Sequence, residues 1–300
     1  MPYTGEWASL LASVCYVFST VAFARSARRV GSATVNALRL GVALLVMAAL
    51  HWFMRGSPFP VGAGLTRLAW LGMSGLIGFA LGDALLFESY VQLGPRLALL
   101  IYTLWPVLSA LMAWGFLGEA MGPGKAMAMV VTVAGIAMVV AEPGRVGQPQ
   151  SRPRRLAWGM VLALCASAGQ AVGFVFAKVG MGGGFSPVSA NVIRVAAGAS
   201  ALWAWQALRR ELVPNLGRLR DTRATVQIML GSLCGPVLGV LLCLYAINHA
   251  RYLGVASTLM SLSPVLLLPY SVFVEKERIG IQAWIGTLIC FLGTAGMFCV

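Results

Sequence analysis

The sequence predicts an all-α polytopic membrane protein, in which ten transmembrane helices form two inverted five-helix repeats around a central cavity. Three observations lead to this fold class: the composition, ten long apolar runs, and landmarks that recur at one spacing. Hydrophobic residues make up 59% of the 300 residues and charged residues 10%, whereas soluble domains carry about 25% charged residues. A chain so poor in charge and so rich in apolar residues fits neither a soluble domain nor a disordered one.

The predicted helices are ten apolar runs separated by charged or Gly/Pro-rich breaks. A helix needs about 20 mostly apolar residues to cross the hydrocarbon core. The break at Leu93-Gly94-Pro95 predicts a tight hairpin between the third and fourth runs. The runs are 7–24, 33–53, 68–91, 96–117, 126–141, 156–178, 188–208, 225–246, 255–274 and 283–300.

Polar stretches of the chain are too short to hold a soluble domain, and the longest are 143–155 and 209–223. The chain therefore divides into a first five-helix repeat over 1–143, a cytoplasmic linker over 144–155 and a second five-helix repeat over 156–300.

Four landmarks of the first half recur in the second half, in the same order and at nearly the same spacing of 155 to 158 residues. Such a fixed period indicates a duplicated unit. Because a unit of five spans is odd, the second copy must enter the membrane in the opposite orientation, and inverted repeats are typical of secondary transporters with a site near the midplane. The pairs are Arg39 with Arg194, Pro106 with Pro264, Glu119 with Glu277, and Gly135 with Gly293.

The net charge of +13 is explained by the loops rather than by a nucleic-acid partner. The loops after the odd-numbered spans carry 15 Lys and Arg, and those on the other face carry 5. Cytoplasmic loops are enriched in Lys and Arg. The first face is therefore expected to be cytoplasmic and both termini external.

The end of the first repeat, residues 94–119, reads GPRLALLIYTLWPVLSALMAWGFLGE, and a looser copy runs from Leu253 through Ser263-Pro264-Val265 to Glu277. Both resemble the end-of-repeat signature of EamA-type carriers in the drug/metabolite transporter superfamily, over essentially the whole chain. The resemblance implies ten helices, a central cavity and export of small metabolites. The triplet 104–106 is also similar to that of bacterial aromatic amino acid exporters. Family members are expected to have cytoplasmic termini, whereas the charge count of this chain predicts external termini.

The expected function is a secondary transporter that exports amino acids or related amphipathic metabolites across the bacterial inner membrane by proton-coupled alternating access. The alternatives are a multidrug or cation efflux carrier, an ion channel and a membrane-embedded enzyme. The sequence has no nucleophile motif, and its six cysteines form no CxxC pair, so we expect no enzyme, metal or cofactor. The expected partners are a small-molecule substrate and the lipid bilayer, with the protein a monomer or homodimer.

Two acids of the third span are candidates for proton coupling. Asp83 lies a few residues past the middle of that run, and Glu88 lies nearer its end. A carboxylate in the hydrocarbon is costly unless it is paired, hydrated or protonated, and such acids are functional by default. The eighth span has no acid, which favours a functional role for Asp83. The alternative is a buried ion pair with an arginine of a neighbouring helix, such as Arg39.

Other candidates are polar, aromatic or helix-bending residues within the spans. Arg39 and Arg194 either snorkel to the headgroups or form a gate or substrate carboxylate contact. Prolines inside helices favour kinks, either as static bends or as hinges for opening the cavity; they are Pro106, Pro236 and Pro264.

Six aromatic and amide residues within the spans are expected to line the cavity. For some of them the alternative is an interfacial aromatic belt. They are Tyr16, Tyr102, Trp105, Gln170, Gln227 and Tyr245. A small-residue face of the third span, for helix packing or a sliding hinge, is formed by Gly72, Gly75, Gly78 and Gly82.

The orientation is testable by cysteine labelling. In a background without native cysteines, Gly62→Cys should react with an impermeant thiol reagent on intact cells, because it follows the second span. Gly147→Cys, in the linker, should react only after the membrane is permeabilised. The reverse pattern would show that both termini are cytoplasmic.

Overall fold

The computed structural model describes residues 4–117, 122–141, 153–242, 262–276 and 279–299, and its regular elements within these ranges are all helical. The α-helices are α1 (Thr4–Val30), α2 (Ser32–Arg55), α3 (Leu65–Gly75), α4 (Asp83–Leu93), α5 (Pro95–Tyr102), α6 (Trp105–Leu117), α7 (Pro123–Val140), α8 (Pro153–Gly180), α9 (Pro187–Leu208), α10 (Leu212–Gly217), α11 (Thr222–Ser232), α12 (Ser263–Phe273) and α13 (Ile281–Cys299).

Helices occupy the described part of each of the ten predicted runs. A π-helical segment, Leu76–Gly82, joins α3 and α4 into one helix over Leu65–Leu93, and a second π-helical segment, Leu233–Gly239, extends α11. Within the described residues, six helices are long and apolar enough to cross a membrane, and α12 and part of α13 form shorter apolar helices. The composition-based prediction of an all-α membrane protein is confirmed.

Single glycines make the tightest connections. Gly31 links α1 to α2 with a φ of 91°, and Gly94 links α4 to α5 with a φ of 84°. These positive φ values suit glycine because it has no Cβ. The predicted hairpin at Gly94 is therefore as short as a helix-to-helix connection can be, and Pro95 begins α5 with its fixed φ.

Two of the three prolines expected to bend helices lie at helix starts instead. The fourth run is split, because α5 ends at Tyr102 and α6 begins at Trp105, so Pro106 is in the first turn of α6. Pro264 is likewise in the first turn of α12. A first-turn proline removes no hydrogen bond of its own helix, and the interruption of the fourth span, between α5 and α6, lies directly before Pro106. Pro236 does lie inside a helix, within the second π-helical segment.

The duplication is apparent in the helices themselves. The two π-helical segments begin 157 residues apart, and α6 and α12 begin 158 residues apart. In the first repeat α3 packs against α8 and α9, and in the second repeat α11 packs against α1 and α2. Each half therefore inserts its third span against the first two spans of the other half.

Glycines allow these helices to approach closely. A Cβ on Gly135 of α7 would overlap the backbone of Cys290 in α13, and a Cβ on Gly75 would overlap the backbone carbonyl of Arg194 in α9. Gly72 differs, since its Cβ would meet only the Cβ of Ala197, at 3.9 Å. Small residues serve such close contacts in membranes, so most of the predicted small-residue face acts in helix packing.

Ion pairs tie the end of α1 to neighbouring helices at one face of the bundle. Arg28 contacts Glu275 at 3.3 Å, and Arg29 contacts Asp221 at 2.9 Å. The backbone N–H of Ala224 donates to Asp221, and this bond, together with Arg29, holds the pKa of Asp221 below its ordinary value. Because this pKa is lower in the folded protein, the interaction stabilises the fold at neutral pH and is lost as the pH falls through the folded-state pKa.

Gly135→Ala should destabilise the protein, because the new methyl group has no space between α7 and α13. Overpacking of this kind costs about 1–3 kcal/mol, which should lower the melting temperature in detergent. Gly115→Ala is the matched control, since a Cβ there would meet none of the described residues within 4 Å. Equal melting temperatures of the two variants would contradict the close α7–α13 contact.

Candidate functional site

The centre of the candidate site is an ion pair inside the membrane-spanning region. The Arg39 guanidinium in α2 donates through Nη2 to the Asp83 carboxylate in α4. Asp83 is 6% exposed and Arg39 7% exposed. Asp83 lies four residues past the middle of the helix Leu65–Leu93, about 6 Å along its axis. The predicted alternative for Asp83, a buried pair with Arg39, is therefore the observed arrangement.

Neighbouring groups fix the Arg39 side chain in place. Its Nε donates to the Asn36 side chain at 3.2 Å, and Asn36 in turn donates to the carbonyls of Phe79 and Ala80 at 3.3 Å. The guanidinium carbon lies 4.9 Å from the centre of the Phe87 ring, a distance typical of cation–π contacts. Arg39 therefore points into the bundle and does not snorkel to the headgroups.

Arg194 of α9 occupies the matching place in the second repeat, but without a matching acid. Its Nε donates to the Ser74 hydroxyl at 2.9 Å, and its guanidinium lies 4.6 Å from the Phe79 ring centre and 5.5 Å from that of Phe174. The charges of both Arg39 and Arg194 act on Asp83. The snorkelling interpretation is wrong for Arg194 too, because α3 and α8 enclose its side chain.

Two polar atoms near Arg194 are buried and have no hydrogen-bond partner among the described residues. They are Arg194 Nη2 and Gln170 Oε1. A Cβ placed on Gly78 would lie 3.9 Å from the first and 3.4 Å from the second. A donor and an acceptor thus both lie within 4 Å of one point beside the first π-helical segment. Irregular π turns of this kind are frequent at functional sites.

Aromatic rings border this polar centre. The Trp105 ring stacks on Phe174, with ring centres 4.6 Å apart and an angle of 16° between the planes. Tyr102 is half-buried and packs against the core around Phe87 and Tyr90. The predicted cavity residues Trp105 and Gln170 therefore lie near Arg194, whereas Tyr102 belongs to the helix core beside the ion pair.

Three other candidate residues, Glu88, Gln227 and Tyr16, lie away from this cluster. Glu88 accepts from Ser32 at 2.7 Å and from Gln92 at 2.9 Å, so it takes part in a polar contact between α2 and α4. Gln227 accepts from Ser26 at 3.3 Å, near the end of α1.

Tyr16 packs beside Gly239 of the second π-helical segment: a Cβ on Gly239 would meet its ring at 2.9 Å. Tyr245 lies outside the described residues, as do Glu119 and Glu277.

Sequence reasoning missed Ser74, Phe79 and Phe174, which surround Arg194. Phe174 was recognisable in principle, because it follows Gln170 by four residues and so shares its helix face. Ser74 and Phe79 carried no such signal. They meet Arg194 only because α3 and its π-helical extension cross α9.

A cleft of about 390 Å³ opens at the start of α3, and Arg67, Trp70 and Gly180 are among its lining residues. Arg67 lies 16 residues before Asp83 on the same helix, about 24 Å along the axis. This cleft is therefore separate from the charge cluster. No group of three or more His, Cys, Asp or Glu residues is placed to hold a metal ion within the described ranges.

Comparison with known proteins agrees with the duplicated fold. The model of the EamA-like transporter family matches residues 3–141 and again residues 157–299. No curated protein sequence matches the chain. One solved crystal structure, described only as that of a protein, is 18% identical and covers 97% of both chains with a TM-score of 0.63. At this identity the likeness shows the fold alone.

Asp83→Leu should strongly destabilise the protein, because it leaves the buried Arg39 guanidinium without a counter-ion. Breaking a buried pair in this way costs about 3–5 kcal/mol, whereas replacing both partners by apolar residues is often neutral. The double variant Arg39→Leu/Asp83→Leu should therefore melt close to the wild type in detergent. A double variant no more stable than Asp83→Leu would show that the pair is not an independent unit.

Proposed function

Because the chain belongs to the EamA-like transporter family and is a multi-pass membrane protein, we propose that it is a secondary transporter that exports amino acids or related amphipathic metabolites, and that Asp83 couples export to protons. The observation that supports this most is the position of Asp83, a carboxylate that is 6% exposed and lies near the middle of a membrane-spanning helix. Ionisable residues at such positions in membrane proteins mark substrate and proton pathways.

The pair suits exchange between a proton and a substrate at one site. Asp83 can be neutralised by Arg39, by a proton or by a positive group of the substrate. A proton on Asp83 removes the negative charge that attracts a substrate amine to the cluster, and a substrate amine in the cluster in turn disfavours the proton. This competition is the requirement for antiport, in which protons entering the cell drive the substrate outward.

The charge of the cluster bears on the substrate class. Arg39 and Arg194 face a single acid, Asp83, among the described residues within reach, which leaves one positive charge in excess. A purely cationic drug would be repelled by this excess, whereas a molecule with a carboxylate would neutralise it. The cluster therefore favours amino acids or related compounds over the multidrug or cation alternative.

The aromatic rings near the cluster suit the apolar part of such a substrate. Phe79 and Trp105 offer flat apolar faces, and the Trp105 indole adds a polar N–H group. We propose that Trp105 borders the substrate path. We also propose the bacterial inner membrane as the location, with external termini, on the basis of the loop charges.

Asp83→Asn should lose proton-driven accumulation but retain substrate exchange. The Asn oxygen can still accept a hydrogen bond from Arg39, but the side chain cannot bind a proton in the relevant pH range. The measurement is uptake into proteoliposomes under an imposed pH gradient, alongside counterflow without a gradient, for the twenty proteinogenic L-amino acids. Glu88→Gln is the matched control, since Glu88 pairs with Ser32 and Gln92 and should be dispensable for coupling.

Counterflow and the melting temperature establish that the Asn variant is folded. Gradient-driven accumulation equal to the wild type between about pH 6 and 8 would exclude Asp83 as the coupling residue. Loss of accumulation in Glu88→Gln alone would transfer that role to Glu88.

A further inference from the structure

We infer that Arg194, Gln170 and the space beside Gly78 form the subsite that binds the head group of a zwitterionic amino acid, with the carboxylate at Arg194 and the amino group at Gln170. This inference rests on the proposed transport of amino acids and deepens it. It names the chemical groups that are recognised and the residues that recognise them.

The first support is the inverted repeat, which places one arginine over a phenylalanine ring in each half. Arg39 lies over the Phe23 ring at 5.8 Å, and Arg194 lies over the Phe174 ring at 5.5 Å. The two π-helical segments are 157 residues apart, and this spacing places Val240 where the first repeat has Asp83. The second arginine therefore lacks the acid that neutralises the first.

The second support is the hydrogen bonding of Arg194. A guanidinium carries five N–H donors, and its Nε is satisfied by Ser74 at 2.9 Å. Its Nη2 is buried and has no partner among the described residues. Buried polar groups in proteins are nearly always hydrogen-bonded, so this donor is placed for an acceptor that comes from outside the chain. An anionic oxygen fits it, since charge-assisted hydrogen bonds are the strong ones.

The third support is the neighbouring acceptor. Gln170 Oε1 is also buried and unpartnered within the described part of the chain. It lies 3.4 Å from the point where a Gly78 Cβ would be, and Arg194 Nη2 lies 3.9 Å from that point. One small group with an acceptor and a donor satisfies both atoms. The α-carboxylate and α-amine of an amino acid are such a group.

The subsite lies near the middle of a membrane-spanning helix, as expected for the binding site of a transported substrate. Gly78 is one residue from the middle of the helix Leu65–Leu93, between α8 and α9. Asp83 lies five residues further along the same helix, and it interacts electrostatically with Arg194. An amino group bound at Gln170 therefore lies on the side of the cluster where the proposed proton exchange takes place.

Gly78→Ala tests the subsite without removing any charge. Its methyl group would lie 3.4 Å from Gln170 Oε1 and 3.9 Å from Arg194 Nη2, which are ordinary van der Waals distances, so the variant should fold while blocking a ligand between the two groups. Gly72→Ala, two turns earlier on the same helix, is the matched control because its Cβ would meet only Ala197, at 3.9 Å. Gln170→Glu is a second variant, whose carboxylate would occupy Arg194 permanently.

Binding is measured on the purified protein in detergent as the rise in melting temperature on adding a ligand. The ligands are the twenty proteinogenic L-amino acids and, for each of them, the amine that remains after decarboxylation. We expect at least one amino acid to bind, and its amine to bind about 10- to 100-fold more weakly, as for the loss of hydrogen bonds to a charged group. Gly72→Ala should bind like the wild type, and Gly78→Ala should lose binding. Gln170→Glu should melt higher than the wild type without ligand and also lose binding.

Three results would overturn the inference: no amino acid binds, the amine binds as well as its parent amino acid, or Gly78→Ala binds like Gly72→Ala. This assay involves no proton gradient. Binding that follows the expected pattern, without proton-driven accumulation by the wild type, would therefore contradict the proposed coupling and leave the subsite intact. Accumulation that Gly78→Ala does not alter would contradict the subsite alone.

Discussion

The hydrocarbon core of a bilayer does not solvate charge, so the guanidinium groups of Arg39 and Arg194 must find their partners inside the protein. Arg39 finds Asp83, and Asn36, Phe87 and the backbone of the first π-helical segment hold the pair in place. The position of α2 relative to α4 depends on this pair. Arg194 instead contacts Ser74, Phe79 and Phe174, and one buried donor of its guanidinium has no partner among the described residues.

Close helix contact is what brings the two arginines to one cluster. Because Gly75 has no side chain, α3 approaches the backbone of α9 at Arg194 itself. The chain next to it forms a π-helical segment that meets α8 at Gly78 and Gly173, with a Gly78 Cβ position 3.9 Å from the Cα of Gly173. Larger residues at Gly75 would separate the helices and leave the Arg194 guanidinium without its aromatic and hydroxyl contacts.

Duplication explains both the symmetry and the departure from it. The third span of each half packs against the first two spans of the other half, and each half carries one arginine in its second span. The sequences differ at the acid, because Val240 stands where the spacing of the π-helical segments places the equivalent of Asp83. Arg39 is therefore paired with an acid, whereas Arg194 forms no ion pair among the described residues. The duplicated scaffold thus carries an asymmetric charge distribution.

The sequence by itself determined the class of protein, the ten spans, the duplication and the short hairpin at Gly94, since these depend on composition, run length and local backbone preferences. It also singled out Asp83, Arg39, Arg194 and Gln170 by their unusual polarity. Only the tertiary structure decided which of them meet. Ser74 and Phe174 come from spans far apart in sequence, and no local pattern encodes a contact that exists only where three helices cross.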